Sequence, residues 1–182
     1  MASIVEEFND LERLKKEFEY LQTHAVKVGI LDDGSGKKRD RAKAQRKLMK
    51  RKGLIKKGGT GKKSESKGKG ATVLEYAIFN EYGTSRIPKR PFFRLSVGTQ
   101  KAQNEIKEYL NTQIENIISG ELTGQGAYEN LGTFVVQKIK KTIMSGNFAP
   151  NDAKTIKRKG SSTPLIDTHS LYNSISYEIV GV

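Results

Sequence analysis

The chain has 182 residues, of which 35% are hydrophobic and 29% charged, and it contains no cysteine. The length suits one domain, and the absence of cysteine excludes disulfides, thiol catalysis and cysteine-based zinc sites. Residues 33–70 hold 16 of the 33 basic and three of the 20 acidic residues, so the formal net charge of +13 lies entirely in this segment. The sequence predicts a single domain over residues 1–182 that is neutral apart from one polycationic insertion.

Residues 3–22 are predicted to form an amphipathic helix, because apolar residues recur at intervals of three or four. The apolar stripe consists of Ile4, Phe8, Leu11, Leu14, Phe18 and Leu21. Ser3 and Glu6 have the spacing of a capping box, which marks the start of the helix. No signal peptide and no membrane span is expected, since acids rather than an apolar run occupy the first ten residues.

Residues 25–31 are predicted to form a strand, because Val26, Val28 and Ile30 alternate with Lys27 and Gly29. The following residues, Asp-Asp-Gly, have turn chemistry and end it.

Residues 33–70, here called the basic arm, hold eight of the 18 glycines and no aromatic residue. Such a segment buries too little surface to offset its ordering entropy, so a mobile insertion is expected. Its cations predict contact with a polyanion, either DNA or an acidic protein surface, with steep salt dependence and little sequence preference. The alternative is a solubilising loop. The candidate contact residues are Lys37, Lys38, Arg39, Arg41, Lys43, Arg46, Lys47, Lys50, Arg51, Lys52, Lys56, Lys57, Lys62 and Lys63.

Residues 72–82 predict a short buried helix that ends at Gly83, with a strand as the alternative. A loop stiffened by Pro88 and Pro91 follows. Residues 91–119 then predict one long helix, whose apolar stripe is Ile106, Leu110, Ile114 and Ile117.

A glycine-rich turn at residues 124–126 is expected to lead into a second helix over residues 127–145. Its inward residues are Leu131, Phe134, Val135, Ile139 and Ile143. The short connection implies that the two helices form an antiparallel pair.

Residues 147–168 are expected to be mostly loop, with one helical turn after Asn151 and a short helix near Asp167. Ile175, Tyr177 and Ile179 alternate in a final strand that is expected to pair with residues 26–30. The predicted fold class is therefore α+β: a small antiparallel sheet packed by an N-terminal helix and an antiparallel helix pair.

No catalytic, cofactor or metal site is predicted, and the chain is not expected to be an enzyme. His24 and His169 are far apart and in no ligand spacing. The glycine-rich run at residues 58–64 departs from a phosphate-binding loop, because Lys56 and Lys63 replace the required glycine and hydroxyl residue.

Two stretches carry a resemblance to a known family. The first is NEYGT at residues 80–84 followed by IPKRPFFR at residues 87–94, and the second is RKGSSTPLIDT at residues 158–168 followed by Leu171, Ser174 and Ile175. In this order, and separated by two helices, they resemble the tail-completion or neck proteins of tailed bacteriophages, the head–tail joining family and its virion-morphogenesis relatives.

The resemblance implies a structural virion protein that completes the tail and joins it to the head, as a homo-oligomeric ring, by analogy a hexamer. Its implied partners are the neighbouring neck or connector proteins and tail-tube or tail-terminator proteins, with DNA in the channel as a further candidate. The candidate subunit-interface residues are Arg86, Lys89, Arg90 and Arg94. An alternative for the first motif is a rigid connection that only sets the start of the next helix.

Two features of the sequence depart from the family. His169 stands where a glycine is usual, and the basic arm is longer and more basic than the resemblance implies. Asp167 or Thr168 is expected to cap the short helix that follows. The second hypothesis for the whole chain is a nucleic-acid-binding module that uses the basic arm; against it, the rest of the chain is neutral and has no nucleic-acid-binding signature.

Overall fold

The computed structural model describes residues 4–31, 72–160 and 162–182, with side chains from Asn9 onward. Ser3 and the basic arm lie outside the described residues. The elements in chain order are α1 (Ile4–Thr23), β1 (His24–Ile30), α2 (Val73–Tyr82), α3 (Phe92–Val97), α4 (Gln100–Ile118), α5 (Gly124–Met144), α6 (Ala153–Lys159), α7 (Ser170–Ser174) and β2 (Ile175–Gly181). The predicted α+β class is confirmed.

The sheet of the described residues consists of β1 and β2, the two strands predicted to pair. They run antiparallel, in a register from His24 opposite Gly181 to Ile30 opposite Ile175. Helix α5 packs across both strands and also contacts α1, α3 and α4. It is the central element, and its Ile139 and Ile143 are fully buried.

Helices α4 and α5 form the predicted antiparallel pair. Three side-chain contacts join them: Gln113 with Asn130, Tyr109 with Phe134, and Glu105 with Lys138. From each of these contacts to the next, the residue on α4 lies four positions earlier and the residue on α5 four positions later. The two helices therefore run in opposite directions, with one contact per helical turn. The amide pair is 2.8 Å apart, and the two aromatic rings stack at 4.2 Å between centroids.

The predicted continuous helix over residues 91–119 is wrong, because the chain breaks between α3 and α4. Gly98 ends α3, and its N–H donates to the Arg94 carbonyl at 2.8 Å. Thr99 has extended backbone angles, and its hydroxyl accepts from the Ala102 N–H at 3.2 Å. A threonine hydroxyl that caps a new helix favours ending the preceding helix at that point. Apolar periodicity alone does not detect such a cap.

The glycine-rich turn predicted at residues 124–126 is instead the first turn of α5. Thr123 is its N-cap and accepts from the Gly126 N–H at 3.1 Å. A carboxylate oxygen of Glu17 on α1 accepts from the Gly124 N–H at 2.6 Å. A Cβ at position 124 would lie 2.8 Å from the Glu17 carbonyl oxygen, so the glycine permits close approach of α1 rather than a turn.

The predicted N-terminal helix is confirmed as α1, and the protein covers its apolar stripe in part. Leu14, Phe18 and Leu21 are partly buried. Leu11, which belongs to the same predicted stripe, is 67% exposed. The body of the protein therefore covers the second half of α1 and leaves Leu11 uncovered.

Residues 73–82 form a helix, not the alternative strand, because Thr72 and Glu75 make a complete capping box. The expectation that this helix is buried is wrong. Only Ala77, Asn80 and Glu81 are buried, Val73 and Tyr76 are partly buried against the core, and the other large apolar residues are exposed. Among the described helices, none combines the length and apolar character required to cross a bilayer.

The short helix α7 does not begin as predicted. Its N-cap is His169, with a φ of 58° and no side-chain capping bond, rather than Asp167 or Thr168. The Thr168 hydroxyl lies 2.5 Å from the Ser170 hydroxyl instead. The left-handed backbone of His169 is the conformation that glycine adopts without strain.

Replacing His169 by glycine is therefore expected to raise the free energy of unfolding by about 1 kcal/mol, the typical cost of a left-handed non-glycine residue. Chemical denaturation of the two proteins measures the difference. Unchanged or lower stability of H169G would show that the edge contact between His169 and Tyr172 outweighs the backbone strain.

Replacing Gly132 by alanine is expected to cost about 1–2 kcal/mol, because the new Cβ would overlap the ring of Tyr177 on β2. The overlap involves Cγ of the ring, so rotation of the ring about χ2 cannot relieve it, and we expect it to outweigh the gain in helix propensity of about 1 kcal/mol. Gly29→Ala is the matched control, since no atom lies within 4 Å of its added Cβ. Equal thermal stability of G132A and wild type would contradict the tight packing of α5 on the sheet.

Candidate assembly interface

The loop after α2 is held in one shape by its own hydrogen bonds. Gly83 ends α2 with a φ of 78°, and its N–H donates to the Phe79 carbonyl at 2.9 Å. The Thr84 hydroxyl accepts from the N–H groups of Arg86 and Ile87 at 3.2 and 3.0 Å. The NEYGT part of the first motif therefore encodes a helix stop and a turn.

Glu81 connects α2 to the start of α3. It is 7% exposed, and its carboxylate accepts from the N–H groups of Phe93 and Arg94 at 2.9 and 3.1 Å. The Arg94 guanidinium donates to the same carboxylate at 3.0 Å. Because Pro91, the N-cap of α3, makes no side-chain capping bond, a carboxylate from the preceding helix satisfies the free N–H groups and the positive end of the helix dipole.

Arg90 is the buried centre of the motif. It is 5% exposed, and its guanidinium donates to Asn80 Oδ1 at 2.9 Å. It also donates to the carbonyls of Ala149 and Pro150 at 2.8 and 3.0 Å, and to Asn151 Oδ1 at 3.2 Å. Burial lowers the pKa of the Arg90 guanidinium.

This environment revises the assignment of Arg90 as a subunit-interface residue. Its donors are used inside the protomer, so its role there is to hold the first motif against residues 149–151. The spacing of the motif gave no sign of this burial, because an arginine beside two prolines has the composition of a surface loop.

The second motif is attached to the same network. Asn151 donates through Nδ2 to the carbonyls of Ser162 and Thr163 at 3.2 and 3.3 Å. Lys159 also donates to the Thr163 carbonyl, at 3.0 Å, and burial lowers its pKa. The motif then enters the core at Leu165 and Ile166. The structure thus brings the two motifs together through Arg90 and Asn151, and sequence reasoning missed the part played by Asn151.

Three cations of the first motif remain at the surface. Arg86 and Lys89 are exposed in the loop between α2 and α3. Arg94 is half-exposed: it pairs with Glu81 and lies 4.9 Å from the Tyr82 ring centroid. These are the predicted interface residues that remain available to another molecule.

A groove of about 240 Å³, here called the apolar groove, lies between α2, α3 and the Ile30 end of the sheet, and its lining includes Arg94 paired with Glu81. Leu74, Ile78 and Tyr82 form one side of it, at intervals of four residues on α2. They are 47%, 46% and 66% exposed, although large apolar side chains are normally covered. A patch of exposed apolar residues is typical of a protein-interaction surface.

A metal centre, one class of functional site, is absent from the part of the chain that the structure describes. That part contains no group of three or more residues suited to hold a metal ion. His24 stacks on Tyr20 with ring centroids 3.9 Å apart and bonds to the Tyr20 carbonyl, as a packing residue does. A polar cleft of about 160 Å³ beside Arg90 mixes cations with Asp152 and Asp167.

The candidate site therefore consists of the apolar groove, the surface cations of the first motif and the buried network that fixes their positions. The cations of the basic arm lie outside the described residues. Comparison of the chain with protein-family models, curated proteins and solved structures finds no match.

Proposed function

We propose that this chain is a non-enzymatic structural protein of a tailed-phage particle, which acts at the neck or tail end to complete the tail and join it to the head. The observation that carries the proposal is the junction of the two motifs through Arg90 and Asn151. The same residues that resemble the phage family fix the loop that carries Arg86 and Lys89, and Arg94 at the end of the first motif lines the apolar groove.

The surface suits docking to other proteins. Exposed apolar side chains supply the hydrophobic contribution to binding, and the surface cations of the first motif orient the partner and accelerate association. By analogy with the family, the chain forms a ring of identical copies, proposed to be a hexamer, between a neck or connector protein and the tail tube or tail terminator. The proposed location is the virion, after assembly in the host bacterial cytoplasm.

A nucleic-acid-binding module is the second candidate. The concentration of 16 basic residues in the basic arm favours it. In the virion proposal, the same cations contact DNA in the channel or an acidic partner during joining.

The test is electron microscopy of lysates from a phage or prophage that lacks this gene. Filled heads and separate tails, with few joined particles, are expected; tails of abnormal length would indicate tail termination. Normal infectious particles would contradict a virion role and leave the nucleic-acid-binding module.

Complementation then asks whether the surface cations matter. Wild type should restore joined particles, whereas R86E/K89E should not. The matched control is K101E/K107E, which reverses two exposed lysines on α4. Equal rescue by both double variants would show that the loop carrying Arg86 and Lys89 is not part of the docking surface.

A further inference from the structure

The polar cleft beside Arg90 concentrates positive charge. It lies between the loop after α2 and the segment that contains α6, and its volume is about 160 Å³. Six charged residues line it: Arg86, Arg90, Arg158, Lys159, Asp152 and Asp167. Four bases against two acids leave an excess of two positive charges in the lining. The first motif supplies two of these bases, and the second motif supplies the other two.

The carboxylates of the cleft do not neutralise its bases. None of the four bases forms an ion pair with a carboxylate of the described residues. Asp152 instead caps α6, where a backbone N–H donates to its carboxylate at 2.8 Å. Arg90 and Lys159 donate to neutral oxygen atoms of the protein. The side chains of Arg86 and Arg158 are exposed and make no hydrogen bond to a described residue.

The environment of Lys159 shows the effect of this uncompensated charge. Burial lowers the pKa of the Lys159 ammonium, and the positive charges of Arg90 and Arg158 lower it further, whereas Asp167 raises it. A pKa lowered in this way means that the surroundings disfavour the charged form of the lysine, and a nearby anion reverses that effect. The electrostatics of the cleft therefore favour the binding of an anion.

The size and charge of the cleft indicate the class of anion. A volume of about 160 Å³ is below the roughly 300 Å³ at which pockets begin to enclose whole small molecules, so the cleft suits a single group. A phosphate monoester carries a charge of about −1.5 to −2 at neutral pH, which matches the excess of two positive charges better than a carboxylate does. The guanidinium groups of Arg86 and Arg158 also present their donors in a planar fork that fits phosphate oxygens.

We propose that the polar cleft binds a phosphate dianion, either the free ion or the phosphate group of a monoester, through Arg86 and Arg158. Arg90 and Lys159, which are held by protein oxygens, contribute positive charge from the wall of the cleft. The site goes beyond the proposed assembly role and does not depend on it, because one copy of the chain supplies every residue. A bound phosphate would connect the first motif to α6, so it is also expected to stabilise the folded protein.

Calorimetric titration of the full-length protein with inorganic phosphate, at constant ionic strength in chloride, tests the proposal. R86Q/R158Q is expected to weaken phosphate binding about a hundredfold, since each lost charge-assisted contact contributes about tenfold. The matched control is K154Q/K157Q, which removes two exposed charges of α6 that do not line the cleft and should leave phosphate affinity unchanged. Both double variants retain the basic arm and the Arg90 network.

Phosphoserine and adenosine monophosphate distinguish the sources of the phosphate group. If one of them binds more tightly than inorganic phosphate, the cleft is a site for that class of monoester. If inorganic phosphate binds most tightly, it is a site for the free ion.

Four results would overturn the proposal. The first is the absence of phosphate binding. The second is equal phosphate affinity of wild type and R86Q/R158Q, which would place the ion on cations outside the cleft, such as those of the basic arm. The third is equal weakening by K154Q/K157Q, which would show attraction to net charge alone. The fourth is binding of acetate as tight as that of phosphate, which would indicate a carboxylate site.

Discussion

Replacing Arg90 by alanine is expected to lower the free energy of unfolding by about 3 kcal/mol. The guanidinium donates to two backbone carbonyls and two amide side chains, and it is 5% exposed. Truncation leaves those acceptors without a donor and opens a void between the two motifs. Urea denaturation followed by circular dichroism gives the difference.

The paired experiment uses Arg86, which lies in the same loop and is exposed. Arg86→Ala is expected to change stability by no more than about 0.5 kcal/mol. If the two alanine variants are equally stable, the Arg90 network contributes nothing to folding. Arg90→Lys should recover only part of the loss, since a lysine cannot reproduce the planar set of donors.

Reversing five charges of the basic arm is expected to weaken binding to duplex DNA by about four orders of magnitude at about 0.1 M salt. The change replaces Lys43, Arg46, Lys47, Lys50 and Arg51 by glutamate. Each cation that neutralises a phosphate releases bound counterions, so the slope of log K against log salt should also fall by about five. Fluorescence anisotropy with a labelled duplex measures both quantities.

The same variant separates the two candidate functions. A nucleic-acid-binding module would lose its activity outright. A virion subunit with reversed charges should still fold and oligomerise, and fail only in joining. An unchanged salt slope would show that the cations of the arm do not contact phosphate.

Apolar periodicity predicts well those helices and strands whose buried face is determined by the spacing of their own apolar residues. β1 and β2 alternate clearly, and α5 buries Val135, Ile139 and Ile143 at helical spacing. The break at Gly98–Thr99 escaped prediction because the apolar stripe used for this helix begins only at Ile106, and the decisive event is a threonine hydroxyl that caps a new helix.

The candidate site was harder to predict from the sequence than the fold. Sequence reasoning placed Arg90 with Arg86 and Lys89 because all three share one short basic loop. Their separation into one buried and two exposed residues depends on residues 149–151, some 60 positions away. Leu74, Ile78 and Tyr82 of α2 were expected in the core for a similar reason, since apolar composition alone does not tell a buried face from an exposed one.

The most direct test of the central proposal is quantitative mass spectrometry of purified phage particles. Peptides from this chain are expected at the same low, fixed number of copies per particle in independent preparations, and absent from particles of the deletion strain. If purified infectious particles contain no such peptides, the chain is not a structural protein of the virion, and the proposed function is wrong.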